Sequence, residues 1–194
     1  MADLIEITDL PTSYQTRSDA ARLITAASAL AESYCRRPLS IQVGRVEKHD
    51  GGAWPEIVLQ CTPVVSIDSI YVNGYEITDY VHDAETGRVR RGTGQGSPNF
   101  APWFPECAGN IVVTYTGGYL TIPDDIKQAV VTGVVNMARE FDRDPMLAGE
   151  SFAGQYSYTR GSKADTVGGR FACFGRAGLA LLATYRKPGM HVIG

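Results

Sequence analysis

Two amphipathic stretches set far apart, with a β-prone segment between them, constrain what this chain can fold into. The first runs from Ser18 to Tyr34 and stops in Cys35-Arg36-Arg37-Pro38. Ala20, Leu23, Ile24, Ala27, Leu30, Ala31 and Tyr34 recur at three- and four-residue steps, which puts them on one helical stripe. Ser18 or Thr16 is expected to cap the start, with Asp19 in the first turn. Arg36 and Arg37 suit the negative end of the helix dipole, and Pro38 prevents continuation. Alanines at 26, 27, 29 and 31 keep the helix thin, so a neighbour can approach closely. The second helix is expected to open at Ile122-Pro123-Asp124-Asp125 and run to about Phe141, with Ile126, Val130, Val134, Met137 and Phe141 as its stripe. Pro123 fits the first turn, where its missing N–H is no loss.

Between the helices, over residues 41–119, the period changes to that of strands. Glu56–Gln60 and Val64–Val72 are predicted strands, the latter ended by the tight-turn pair Asn73-Gly74. Tyr80–His82 and Arg88–Arg90 flank a turn at Asp83–Gly87, and Asn110–Tyr115 is the clearest strand. Five or six short strands with such close turns predict a compact antiparallel sheet or small barrel. Residues 142–170 are glycine-rich and read as a long loop. A last short helix is expected over about Arg176–Tyr185, followed by a tail at 186–194. The fold class is α+β: two long helices and a short third, with an antiparallel insertion at 41–119 in a single domain of 194 residues.

Composition and motifs exclude several function classes. Eighteen basic against 21 acidic residues, a formal charge of −3, do not suit a dedicated nucleic-acid-binding surface. Cys35, Cys61, Cys107 and Cys173 match no zinc spacing and read as free thiols in a reducing compartment. The start lacks the basic and apolar regions of a signal peptide, and no apolar run approaches the ~20 residues of a membrane span. His49, His82 and His191 have no metal-ligand spacing, and no nucleophile elbow occurs. No catalytic, metal or cofactor-binding residues are assigned. Asp79, Asp83 and Glu85 surround one turn without a calcium-loop pattern and read as solvated carboxylates. Gly92-Thr-Gly-Gln-Gly96 lacks the lysine of a phosphate loop. Arg36-Arg37 and Arg90-Arg91 read as solvated pairs. Phe100, Trp103 and Phe104, interleaved with prolines, form either an aromatic docking loop or a loop folded back on the sheet.

Several segments carry a resemblance. Ala26-Ala-Ser-Ala-Leu-Ala-Glu-Ser-Tyr-Cys-Arg-Arg-Pro38 resembles the first helix of tailed-bacteriophage head–tail connector (adaptor, head-completion) proteins. Pro63-Val-Val-Ser-Ile-Asp-Ser-Ile-Tyr-Val72 is similar to that family's "PV-x-S-V-x-S-V" strand, Thr86-Gly-Arg-Val89 to its turn, and Val112-Val-Thr-Tyr-Thr-Gly-Gly-Tyr119 to its "V-x-Y-T-x-G-Y" strand. Ile122-Pro-Asp-Asp-Ile-Lys-Gln-Ala-Val130 resembles the opening of its second long helix. Glu150-Ser-Phe-Ala-Gly-Gln-Tyr-Ser-Tyr158 resembles its "E-S-x-G-x-Y-S" loop, and Leu181-Leu-Ala-Thr-Tyr-Arg186 its closing segment. The matches are collinear from about Ser18 to Arg186.

The resemblance implies a structural virion protein of the neck, made in the host cytoplasm. Its relatives form a ring, usually dodecameric, on the portal protein, through which DNA passes without specific binding. The ring presents a surface to stopper or tail-completion proteins. Portal contact is expected at Phe152, Tyr156 and Tyr158 and at Tyr185, Arg186 and Lys187, and docking at Phe100, Trp103 and Phe104. A stopper or tail-completion protein of the same neck, and a β-sheet carbohydrate-binding module, are the competing readings.

Overall fold

The computed structural model describes residues 3–52, 54–92, 103–142, 149–152, 156–159 and 169–187, with side chains undescribed at 149–152 and 156–159. Two compact units result: Met1–Arg36 together with Ile122–Gly194, and Arg37–Thr121. The second is one continuous segment inserted into the first, in the place of the predicted β-rich insertion.

The first unit is helical. It holds α1 (Thr12–Gln15), α2 (Ala20–Cys35), α3 (Asp124–Phe141) and α4 (Gly175–Ala183), the last preceded by a 3₁₀ turn at Gly169–Phe174. In α2 the predicted stripe is buried at Ala20, Leu23, Ile24, Ala27 and Ala31. The cap differs from expectation. Asp19 is the N-cap residue and makes no capping bond. Its carboxylate is taken instead by Arg17, Nε to Oδ1 at 2.9 Å. The same guanidinium forks onto Asp142 at 2.6 and 3.0 Å, tying the start of α2 to the end of α3. Two opposite charges outcompete a neutral cap for the aspartate.

In α3 the buried face is Ile126, Ala129, Val130, Gly133, Val134 and Ala138. Met137 is only half-buried and Phe141 is 66% exposed, so the stripe is rotated from the predicted one. The small residues explain the rotation. A Cβ on Gly133 would lie 2.8 Å from Cε1 of Phe174 and 3.7 Å from the Ala27 Cβ. The fully buried Phe174 ring rests on bare α3 backbone, and the wall of the core is made by absence of side chain. The segment read as a long loop at 142–170 contains a hairpin, Gly149–Phe152 antiparallel to Tyr156–Thr159. Tyr156-Ser-Tyr-Thr159 is β-prone, a signal outweighed by the segment's glycine content.

Among the described residues the second unit carries seven strands: β1 (Gln42–Gly51), β2 (Glu56–Val58), β3 (Val64–Val72), β4 (Tyr75–Glu76), β5 (Tyr80–Asp83), β6 (Arg88–Arg91) and β7 (Cys107–Gly117). A four-stranded sheet has the order β1-β7-β3-β4 and a three-stranded sheet the order β2-β6-β5. All their pairings are antiparallel. Alternation along β7 places Ile111, Val113 and Tyr115 inward, where they share one core with Ile70, Val89 and Phe104. Each fully buried Ile or Val there contributes about 1.5–3 kcal/mol. Asn73-Gly74 turns β3 into β4 with φ of 52° and 81°, the doubly positive geometry of a type I′ turn.

Candidate functional site

The most polar buried group of the sheet unit is Glu47, on β1. Its side chain is 6% exposed. One oxygen accepts from the Tyr115 hydroxyl at 2.7 Å and from Arg45 Nε at 2.7 Å. The other accepts from the Gln60 N–H at 3.0 Å. His49 Nε2 stands 3.3 Å from that second oxygen, but its alignment makes no hydrogen bond. The Tyr115 hydroxyl in turn accepts from the Cys61 N–H at 2.9 Å. Burial pushes the Glu47 carboxyl up, but His49, Gln60, Tyr115 and Arg45 together outweigh it and hold it at about 2. Burial, reinforced by the neighbouring carboxylate, pushes the Tyr115 hydroxyl well above its ordinary value. A permanently ionised carboxylate and a phenol that keeps its proton cannot exchange protons near neutrality. The cluster is a brace between β1, β7 and the Gln60–Cys61 backbone.

Exposed apolar groups are the other candidates. Trp54 is 69% and Trp103 59% exposed. The Phe104 N–H donates to the Trp54 carbonyl at 3.0 Å, which brings the two tryptophan-bearing stretches together. Arg91 Nη1 donates to the Trp103 carbonyl at 3.2 Å. Of the predicted docking residues, Trp103 is exposed. Phe104 is not: it is 1% exposed, inside the sheet core. A phenylalanine after an exposed tryptophan turns to the opposite side of an extended backbone, and here that side is the core. Phe100 lies outside the described residues. Trp54 carries the same Gly/Pro-flanked aromatic signal in Gly51-Gly-Ala-Trp-Pro55.

The predicted portal-contact residues fall into two groups. Phe152 stands opposite Tyr156, and Glu150 opposite Tyr158, in the Gly149–Thr159 hairpin. Tyr185, Arg186 and Lys187 follow α4 and are engaged with their own unit. The Tyr185 hydroxyl donates to Asp125 at 2.8 Å, the Arg186 guanidinium lies 5.2 Å from the Tyr34 ring centroid, and the Lys187 N–H donates to the Cys35 carbonyl at 3.0 Å. Arg37, read as solvated, instead donates to the Thr62 carbonyl at 2.7 Å and stacks over Tyr119. Asp83 accepts from its own turn, the Thr86 hydroxyl at 2.7 Å and the Glu85 N–H at 3.0 Å. Among the described residues no group of three or more His, Cys, Asp or Glu is placed to hold a metal, and no helix is long and apolar enough to cross a membrane.

Residues 3–156 match the Head completion protein (HCP) family. The chain belongs to that family. Its role is accordingly structural, in head completion. No curated protein matches it. Among solved structures it is similar to a chain in the neck of a native gene transfer agent (GTA) particle computed with C12 symmetry, at 16% identity and a TM-score of 0.52, covering 97% of this chain and 95% of that one. A chain in the neck of an empty GTA particle computed with C6 symmetry matches at 15% identity and a TM-score of 0.53, covering 96% and 91%. A chain of the native GTA virion matches at 16% identity and 0.53, covering 97% and 95%. At these identities the likeness is one of fold, and it extends over nearly the whole of each chain, sheet insertion included.

Proposed function

We propose that this family member is the head–tail adaptor of a virion neck, a ring of identical chains seated on the portal protein. The ring extends the DNA channel and offers a docking surface to the stopper or tail-completion protein. The observation that carries the reading is family membership across residues 3–156, joined to a shared fold with neck chains of a particle computed with C12 symmetry. That symmetry favours twelve copies. A ring of identical chains needs a heterologous contact, with different surfaces meeting at each joint. The chain's chemistry suits this role: its buried ionisable cluster is locked, and its exposed groups are those of contact.

Portal contact is assigned to the Gly149–Thr159 hairpin, with Phe152, Tyr156 and Tyr158, and to the stretch through Tyr185, Arg186 and Lys187. Tail-side docking is assigned to Trp103, joined by Trp54, because tryptophan carries interface energy out of proportion to its number. Purified protein mixed with the portal of its own phage and imaged by negative stain, with copies counted by native mass spectrometry, tests the reading. Copies equal to the portal's symmetry are expected. One or two copies per portal overturn it.

A further inference from the structure

The four-stranded sheet has two open edges, and they are complementary. Among the described residues β1 forms one edge, pairing with β7 alone, and β4 forms the other, pairing with β3 alone. The register defines a row across the sheet: Lys48 opposite Val112, Val112 opposite Tyr71, and Tyr71 opposite Glu76. Directly opposed residues share a face. The row therefore begins at one edge with an exposed cation and ends at the other with an exposed anion. No ion pair within the chain is formed by either residue among those described. Apolar exposure sits at the same two edges: Val43 at 80% and Val46 at 58% on β1, Tyr75 at 79% on β4.

From these edges we propose that β1 of one copy pairs with β4 of the next, joining the sheets of neighbouring subunits with Lys48 across from Glu76. The proposal rests on the ring reading and names its joint. Strand direction supports it. β1 and β3 both run antiparallel to β7, and β4 runs antiparallel to β3. In a ring of twelve the rotation from one copy to the next is only about 30°, so these directions are nearly kept and β1 meets β4 antiparallel, the more stable pairing. The contact joins two different edges, so it is head-to-tail and each copy retains one edge for a further neighbour. An isologous β1–β1 contact would instead set Lys48 and Arg45 of one copy near those of the other.

Cysteine substitution tests this directly, in the full chain with exposed Cys107 replaced by serine and a short bismaleimide as linker. Lys48→Cys mixed with Glu76→Cys gives cross-linked dimers, and the chain bearing both gives a ladder. Neither single variant cross-links to itself. Separately, Lys48→Glu or Glu76→Lys lowers the assembled fraction several-fold in native mass spectrometry at high protein concentration, and the double swap restores it. Dimers from Lys48→Cys alone overturn the proposal in favour of a two-fold contact. Oligomers of the unsubstituted chain without any cross-link overturn the edge joint and leave the ring reading standing. With the portal present, absence of both oligomers and cross-links removes the ring reading and the joint together.

Discussion

Glu47→Gln preserves shape and removes charge from a site where Arg45, Tyr115 and the Gln60 N–H all donate. Arg45 and Tyr115 converge on one carboxylate oxygen, each at 2.7 Å, and the Gln60 N–H reaches the other at 3.0 Å. A glutamine offers one acceptor oxygen, and its amide nitrogen then confronts a donor. Leaving one buried donor unpaired costs about 1–3 kcal/mol, and losing charge assistance on the others adds to that. The depressed carboxyl gives a figure of the same order from the same contacts. The carboxyl falls from 4.5 to about 2, opposed by burial and driven by its donors. At 1.36 kcal/mol per unit this corresponds to ~3 kcal/mol of stabilisation of the sheet unit. Because the folded value lies below the unfolded one, the stabilisation is complete above the unfolded value. It is lost as pH falls through the interval toward 2. The assay is urea unfolding of wild type and variant followed by tryptophan fluorescence. Both tryptophans of the chain, Trp54 and Trp103, lie in the sheet unit, so the signal reports the unit that holds Glu47. A gap of ~3 kcal/mol near neutral pH is expected to close as pH approaches 2. Equal midpoints at neutral pH, or a gap that persists undiminished in acid, would refute the reasoning.

Tyr115→Phe deprives Glu47 of one donor and strands the buried Cys61 N–H, so a loss of about 2 kcal/mol in the same urea titration is expected. Gly133→Ala gains about 1 kcal/mol of helix propensity but drives a methyl to 2.8 Å from the Phe174 ring. Overpacking of about 1–3 kcal/mol then wins, and thermal unfolding by circular dichroism should show a lowered Tm. Trp103→Ala is expected to leave stability within about 0.5 kcal/mol and to weaken capture of the tail-side partner in a pull-down from assembled portals. Truncation after Lys187 retains the Tyr185, Arg186 and Lys187 contacts and tests whether the last residues are needed for portal attachment. Hydrogen exchange in the Gly149–Thr159 hairpin should slow on portal binding if that hairpin is the contact.

The sequence made the two long helices and the main strands between them legible because period and punctuation agreed there. Val64–Val72 runs between a proline and Asn73-Gly74, and α3 begins one residue after Pro123. Faces were less legible. The large side chains Met137 and Phe141 pull the expected α3 stripe toward themselves, whereas the buried face includes Ala129, Gly133 and Ala138, which contribute closeness instead of area. Hydrophobicity patterns do not register a residue whose contribution is to let Phe174 approach. Glu47 was invisible for a related reason. One charged residue in an alternating strand reads as solvent-facing, and the partners that pay for its burial stand on β7 and beyond β2. Phe104 and Trp103 show the resolution limit: adjacent aromatics in a proline-rich loop can be assigned to a surface, but which of the two is inward depends on where the core lies.

A joint through β1 and β4 also accounts for how an open sheet remains manageable before assembly. A long exposed edge invites indiscriminate pairing, and chains commonly guard such edges with bulges and lysines. β1 carries both: register breaks between Gln42 and Arg45 and between His49 and Gly51, and Lys48 between them. The receiving strand, β4, is only two residues long. A contact so short buries far less than the ~1,600 Å² of a standard stable interface, so two free copies associate weakly. A portal that holds neighbours side by side changes the arithmetic. Tethering raises the effective concentration of one edge at the other to the order of mM, and closure satisfies every copy's two edges at once. Weakness of the single joint is then what confines the ring to its template. A variant that strengthens the edge while keeping the Lys48–Glu76 pair, such as Val46→Tyr at an exposed position of β1, is expected to associate in the absence of portal and to lose that restriction, which sedimentation of the free protein would reveal. If this variant stays monomeric at concentrations where its surface is otherwise unchanged, the edge is not what limits assembly.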